Sequence, residues 1–147
     1  MSPTGREGHI LDLEHEVAVL VRRLKRVISE RARTIHKDLT PAGYLMLAYL
    51  VDKGPMRPSA VVDAFDLDKG AVSRQIQLLV DFGLVTKEHD PGDGRAWVVS
   101  PTDEARQRIK VMVAARRARL GRLLEDWPDE ELESFVTTLG RYNATLE

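Results

Sequence analysis

From Leu11 to Asp38 the apolar residues Leu13, Val17, Leu20, Leu24, Val27/Ile28 and Ile35 recur in steps of three and four. That spacing predicts one long amphipathic helix with a single apolar stripe. Thr40-Pro41 reads as an N-cap followed by proline at the first helical position. The segment "AGYLMLAYLVDK" carries this second helix to Gly54-Pro55, which stops it. An extended piece around Met56 leads to Pro58-Ser59 and a brief helix through Phe65. Asp66-Leu67 is the turn, and Asp68 caps the fourth helix, "KGAVSRQIQLLVDF". Gly83 ends that helix as a left-handed stop.

Two β-prone runs then flank Asp90-Pro91-Gly92-Asp93-Gly94, whose residue types favour a hairpin turn. Thr102 caps a fifth helix, Asp103 to about Glu125, with Asp103 and Glu104 well placed against its dipole. Trp127-Pro128 and the acids Asp129, Glu130 and Glu131 open the last helix. Its stripe is Leu132, Phe135/Val136, Leu139, Tyr142 and Leu146. The order is therefore ααααββαα, a mainly α fold with a small β-hairpin wing.

Helix, tight turn, helix, hairpin is the winged helix-turn-helix order, and residues 40–100 hold it. Residues 1–39 and 101–147 supply the terminal helices. At 1.5 Å per residue the first would be about 40 Å long and the fifth about 34 Å. Helices of that length overhang a small centre and leave apolar stripes uncovered. A second copy of the chain is the expected cover, in a two-fold homodimer.

The fourth helix has two unlike faces. With Val72 set at zero and successive residues turned by about 100°, Ile76 falls near 40° and Leu79 near 340°. Gly70, Ser73, Gln77 and Arg74 fall on the opposite side. Glycine permits close approach, serine and glutamine bond phosphates or base edges, and arginine can take guanine bidentately. Turn chemistry does not account for Arg95 at the hairpin. A hairpin beside such a helix extends over the neighbouring minor groove, where a narrow groove attracts an arginine. Asp93 is expected to pair with Arg95 and hold its side chain extended.

Composition narrows the alternatives. The chain of 147 residues is one domain's worth, with a net charge of −1 and no cysteine. Disulfides, thiolate metal sites and thiol redox sensing are thereby excluded. No leader or membrane span is legible, so the expectation is a cytoplasmic protein. Basic residues concentrate at 22–37 and 103–126, whereas residues 40–100 hold six basic and eight acidic side chains. Phosphate contacts from that centre must come from a few placed groups and from helix N-termini such as that at Ser59. We find no nucleophile elbow, phosphate-binding glycine loop, HExxH motif or paired carboxylates, so no enzyme is expected. No cofactor is expected either. His9, Asp12, His15 and Glu16 cluster near the start of the first helix, but their spacing is not that of a compact zinc site, and no metal is expected.

The segment "DKGAVSRQIQLLVDFGLV", the wing "DPGDGR" and "VSPT" leading into the fifth helix resemble the MarR family of bacterial transcriptional regulators. Asp90, Asp93 and Arg95 form the most specific part of the match. Pro101 and Ala105 depart from the leucine and glycine more usual in that family. The resemblance implies DNA binding through Ser59, Lys69, Gly70, Ala71, Ser73, Arg74, Gln77, Asp93 and Arg95. It also implies a homodimer on double-stranded DNA with a pseudo-palindromic operator, usually repressing transcription. A small aromatic or anionic effector is implied as well, with His36, Tyr44 and Met112 as candidate lining residues. The alternative is a winged-helix protein-interaction module without DNA binding, a reading that rests on the acidic centre.

Overall fold

A computed structural model of the chain describes residues 5–146. The elements are α1 (Arg6–Ile35), α2 (Pro41–Lys53), α3 (Pro58–Phe65), α4 (Lys69–Asp81), β1 (Val85–Asp90), β2 (Asp93–Pro101), α5 (Asp103–Leu123) and α6 (Asp129–Ala144). This is the expected order, a mainly helical winged helix-turn-helix with a two-stranded antiparallel hairpin. The described residues form two compact units, 5–110 and 111–146, with the boundary inside α5.

Two element ends differ from the pattern of apolar residues. α1 begins at Arg6, well before the stripe, and stops at Ile35 rather than Asp38. His36 is extended there, and its Nδ1 accepts the Asp38 amide at 3.1 Å. That side-chain bond offers the backbone an alternative to another helical turn.

The starts of α2, α4 and α5 and the end of α4 follow their capping chemistry. Thr40 Oγ1 accepts the Gly43 N–H at 2.9 Å and opens α2 ahead of Pro41. Asp68 Oδ1 accepts the Ala71 N–H at 2.8 Å and opens α4. At the far end of α4, Gly83 has φ +71, with Gly83 N–H on the Val80 carbonyl and Leu84 N–H on the Leu79 carbonyl, both at 3.0 Å. These two bonds are the Schellman pairing, which needs a left-handed residue that glycine supplies without steric cost. Thr102 accepts the Ala105 N–H to open α5 and donates to the Gly83 carbonyl, so one hydroxyl joins the two helix ends.

The core of the first unit gathers one face from each element. Ala32 and Ile35 of α1, Met46, Leu47 and Leu50 of α2 and Val61 of α3 are buried. Val72, Ile76 and Leu79 of α4 join Leu84, Val85 and Val99. α2 and α4 approach closely at Gly43, which is itself buried. The Thr40 hydroxyl donates to Gln75 Oε1 at 3.1 Å across the same contact. In the second unit, Trp127 meets Phe135 edge-on at 5.8 Å, and no α6 side chain is buried. Among the described residues, no helix is long and apolar enough to cross a membrane.

Candidate nucleic-acid interface

The faces of α4 segregate as its sequence pattern requires. Val72, Ile76 and Leu79 lie in the core, while Lys69, Gly70, Ser73, Arg74 and Gln77 are exposed and Ala71 is half-buried. Gly70 leaves room that a side chain would take. A Cβ there would stand 3.1 Å from Asp68 Oδ1 and 3.4 Å from Arg74 Nη1, so the Arg74 guanidinium lies back along the helix over it. Gln77 is engaged on both ends: its amide donates to Asp81 Oδ1 at 2.9 Å, and its Oε1 accepts from Lys87 Nζ at 3.4 Å. Ser59 is exposed at the second position of α3.

The wing pairs Val85 with Pro101 through His89 with Trp97, and the register shifts between His89 and Asp90. Met56 adds a short bridge to Val99 at the base, with backbone bonds of 2.8 and 3.2 Å in the two directions. Strand alternation puts Lys87, His89 and Trp97 on one face, and Arg95 lies in the irregular stretch between Asp93 and Trp97. His89 stacks on the half-exposed Trp97 with ring centroids 4.0 Å apart. Because Lys87 reaches Gln77, that face adjoins the outer side of α4.

At the tip, the expected contact between the Asp93 carboxylate and the Arg95 guanidinium is not made. Asp93 Oδ1 instead accepts the Arg95 backbone N–H at 3.0 Å. The short aspartate closes a local ring two residues on, the usual turn bond of this side chain. The Arg95 guanidinium is exposed and has no hydrogen bond or ion pair among the described residues. Asp90 makes the stronger contacts. Its Oδ1 accepts the Gly92 N–H at 2.9 Å, and its Oδ2 receives both Nε and Nη2 of Arg57 at 2.8 Å. The Gly92 bond first and the Arg57 bonds second hold its carboxyl below the ordinary value of 3.8.

Tyr44 is a core residue at 4% exposure, and His36 stacks on Phe82 at 4.1 Å. Met112 belongs to the second unit and is half-buried. A cleft of about 490 Å³ opens between the start of α3 and the outer part of β1, among Met56, Arg57, His89 and Asp90. His9, Asp12, His15 and Glu16 are exposed on the first half of α1. Among the described residues no group of three or more His, Asp or Glu side chains is placed to hold a metal ion. Sequence reasoning passed over Arg57 and Lys87. The signal for Arg57 was an arginine at a helix N-cap, where a short oxygen-bearing side chain is the rule.

A sequence profile of the MarR family matches residues 37–96. The chain is 30% identical over 131 residues to YxaD, an HTH-type transcriptional regulator of Bacillus subtilis, covering 89% of this chain and 90% of the relative. It is 28% identical over 109 residues to MdtR, an HTH-type transcriptional repressor of Bacillus subtilis, covering 74% and 70%. Among solved structures, it resembles a MarR family transcriptional regulator from Listeria monocytogenes complexed with 26mer DNA. That match has a TM-score of 0.70 and 16% identity, covering 90% of this chain and 87% of the other.

Proposed function

Because the chain belongs to the MarR family, we propose that it is a sequence-specific DNA-binding transcriptional regulator acting as a homodimer in the cytoplasm. The observation that carries the reading is the exposed outer face of α4, with the wing beside it through Lys87 and the exposed Arg95 near the wing tip. Ser73, Arg74 and Gln77 read a major groove, Lys69 and the α3 N-terminus near Ser59 take phosphates, and Arg95 enters the minor groove. Asp93 shapes the turn that presents Arg95. The DNA-bound Listeria structure and the repressor MdtR support this reading and its repressor form.

A second copy is part of the proposal. α1 exposes Ile10, Leu13, Leu20 and Leu24, and α6 exposes Phe135, Val136 and Leu139. Apolar surface of that extent marks an interaction site, and the two-fold partner buries it. The dimer then meets a pseudo-palindromic operator, and a small aromatic or anionic effector releases it from the genes it represses.

The acidic centre, six basic and eight acidic side chains over residues 40–100, favours a second reading, a winged-helix module that binds protein instead of DNA. Salt titration of binding to random-sequence duplex separates the two. A DNA reader releases counterions and loses affinity steeply with salt, by a log–log slope of about −0.9 for each phosphate neutralised. A flat response together with no binding at low salt would sink the DNA reading.

A further inference from the structure

We propose that Arg57 is a positioning residue for the wing: by tying the start of α3 to the end of β1, it fixes where the hairpin carries Arg95. The inference rests on the DNA-binding reading above and goes beyond it in naming what aims the wing.

Arg57 holds the N-cap position of α3 but makes no side-chain cap there. Both donors of its guanidinium edge go instead to one oxygen of Asp90, 33 residues away, at 2.8 Å each. The other oxygen of Asp90 closes the tip turn through Gly92. One carboxylate therefore holds the turn and receives the strut. The Met56–Val99 bridge supports the hairpin only at its base. From Val98 outward the wing is a two-stranded ribbon, an arrangement marginally stable by itself. Among the described residues, the Arg57–Asp90 contact is the outermost side-chain bond between the wing and the body.

Arg57 is half-exposed, so the pair contributes little to global stability. Its effect is on the angle and rigidity of the tip, and through them on Arg95. An arginine that itself gripped a phosphate would act independently of Arg95.

The test is a double-mutant cycle on the tightest duplex that the wild type selects from a random pool. Binding and urea midpoint are measured for wild type, Arg57→Ala, Arg95→Ala and the double variant. Arg57→Ala is expected to weaken binding about three- to fivefold, the upper range for an exposed ion pair, with an unchanged urea midpoint. In the Arg95→Ala background it should cost nothing further, and the salt slope should match that of wild type. Equal losses in both backgrounds with a slope lower by about 0.9 would mean a direct phosphate contact and overturn the proposal. So would unchanged binding.

Amide hydrogen exchange over residues 93–97 without DNA keeps the two readings apart. Faster exchange in Arg57→Ala supports the strut, and unchanged exchange overturns it. If the wild type binds no duplex, the DNA reading falls, and the exchange result still decides the strut.

Discussion

The approach of α2 to α4 sets α4 against the body, and Gly43→Ala probes it. In a helix, alanine in place of glycine ordinarily stabilises by about 1 kcal/mol. Here the added Cβ would stand 2.9 Å from Leu39 Cδ1, 3.1 Å from Thr40 Oγ1 and 3.3 Å from Gln75 Oε1. Leu39 is packed in the core at 5% exposure and cannot swing away freely. The other two atoms are the cap of α2 and its bond to α4. Displacing the cap costs about 1 kcal/mol, and overpacking a tight contact costs about 1–3 kcal/mol. The costs exceed the helical gain, leaving a net destabilisation of about 1–3 kcal/mol. Urea unfolding followed by far-ultraviolet circular dichroism measures it. A Gly43→Ala protein as stable as wild type, or more so, would refute the reasoning and show that α4 can yield without penalty.

Two further outcomes follow from the interface. The Asp90 carboxyl is held below 3.8, so its contribution to the folded wing is present above that pH and fades as pH falls through the lower folded value. Carboxyl-carbon NMR should therefore place its titration midpoint below 3.8, and a midpoint at or above that value would contradict the Gly92 and Arg57 contacts. Arg74→Ala should cost about 1–3 kcal/mol of discrimination at one operator base pair while leaving random-duplex binding nearly intact. A uniform loss on all sequences, measured by competition titration, would make Arg74 a phosphate ligand instead.

Much of the fold was legible because its signals are local. Thr40, Asp68 and Gly83 announce helix ends through side-chain or backbone chemistry within a few residues, and the structure uses all three as expected. The two faces of α4 follow from helical periodicity, since Val72, Ile76 and Leu79 recur at the right turns. Contacts distant in sequence were not legible. Arg57 meets Asp90 across 33 residues, and Met56 pairs with Val99 to brace the wing; neither partner carries a mark of the other. The Asp93–Arg95 expectation erred differently. It chose between a side-chain and a backbone donor in the same residue, and the short aspartate took the nearer backbone donor. The engagement of Gln77 with Asp81 and Lys87 likewise depended on where the hairpin returned to α4.

Hydroxyl-radical footprinting on a selected operator addresses the central claim, that paired α4 helices and wings grip one face of a duplex. Wild type should protect two half-sites about 10–10.5 base pairs apart, or a multiple of that, each flanked by a protected minor groove. Arg95→Ala should lose the flanking protection and keep the centre. A single unpaired footprint, or flanks unchanged by Arg95→Ala, would contradict the account.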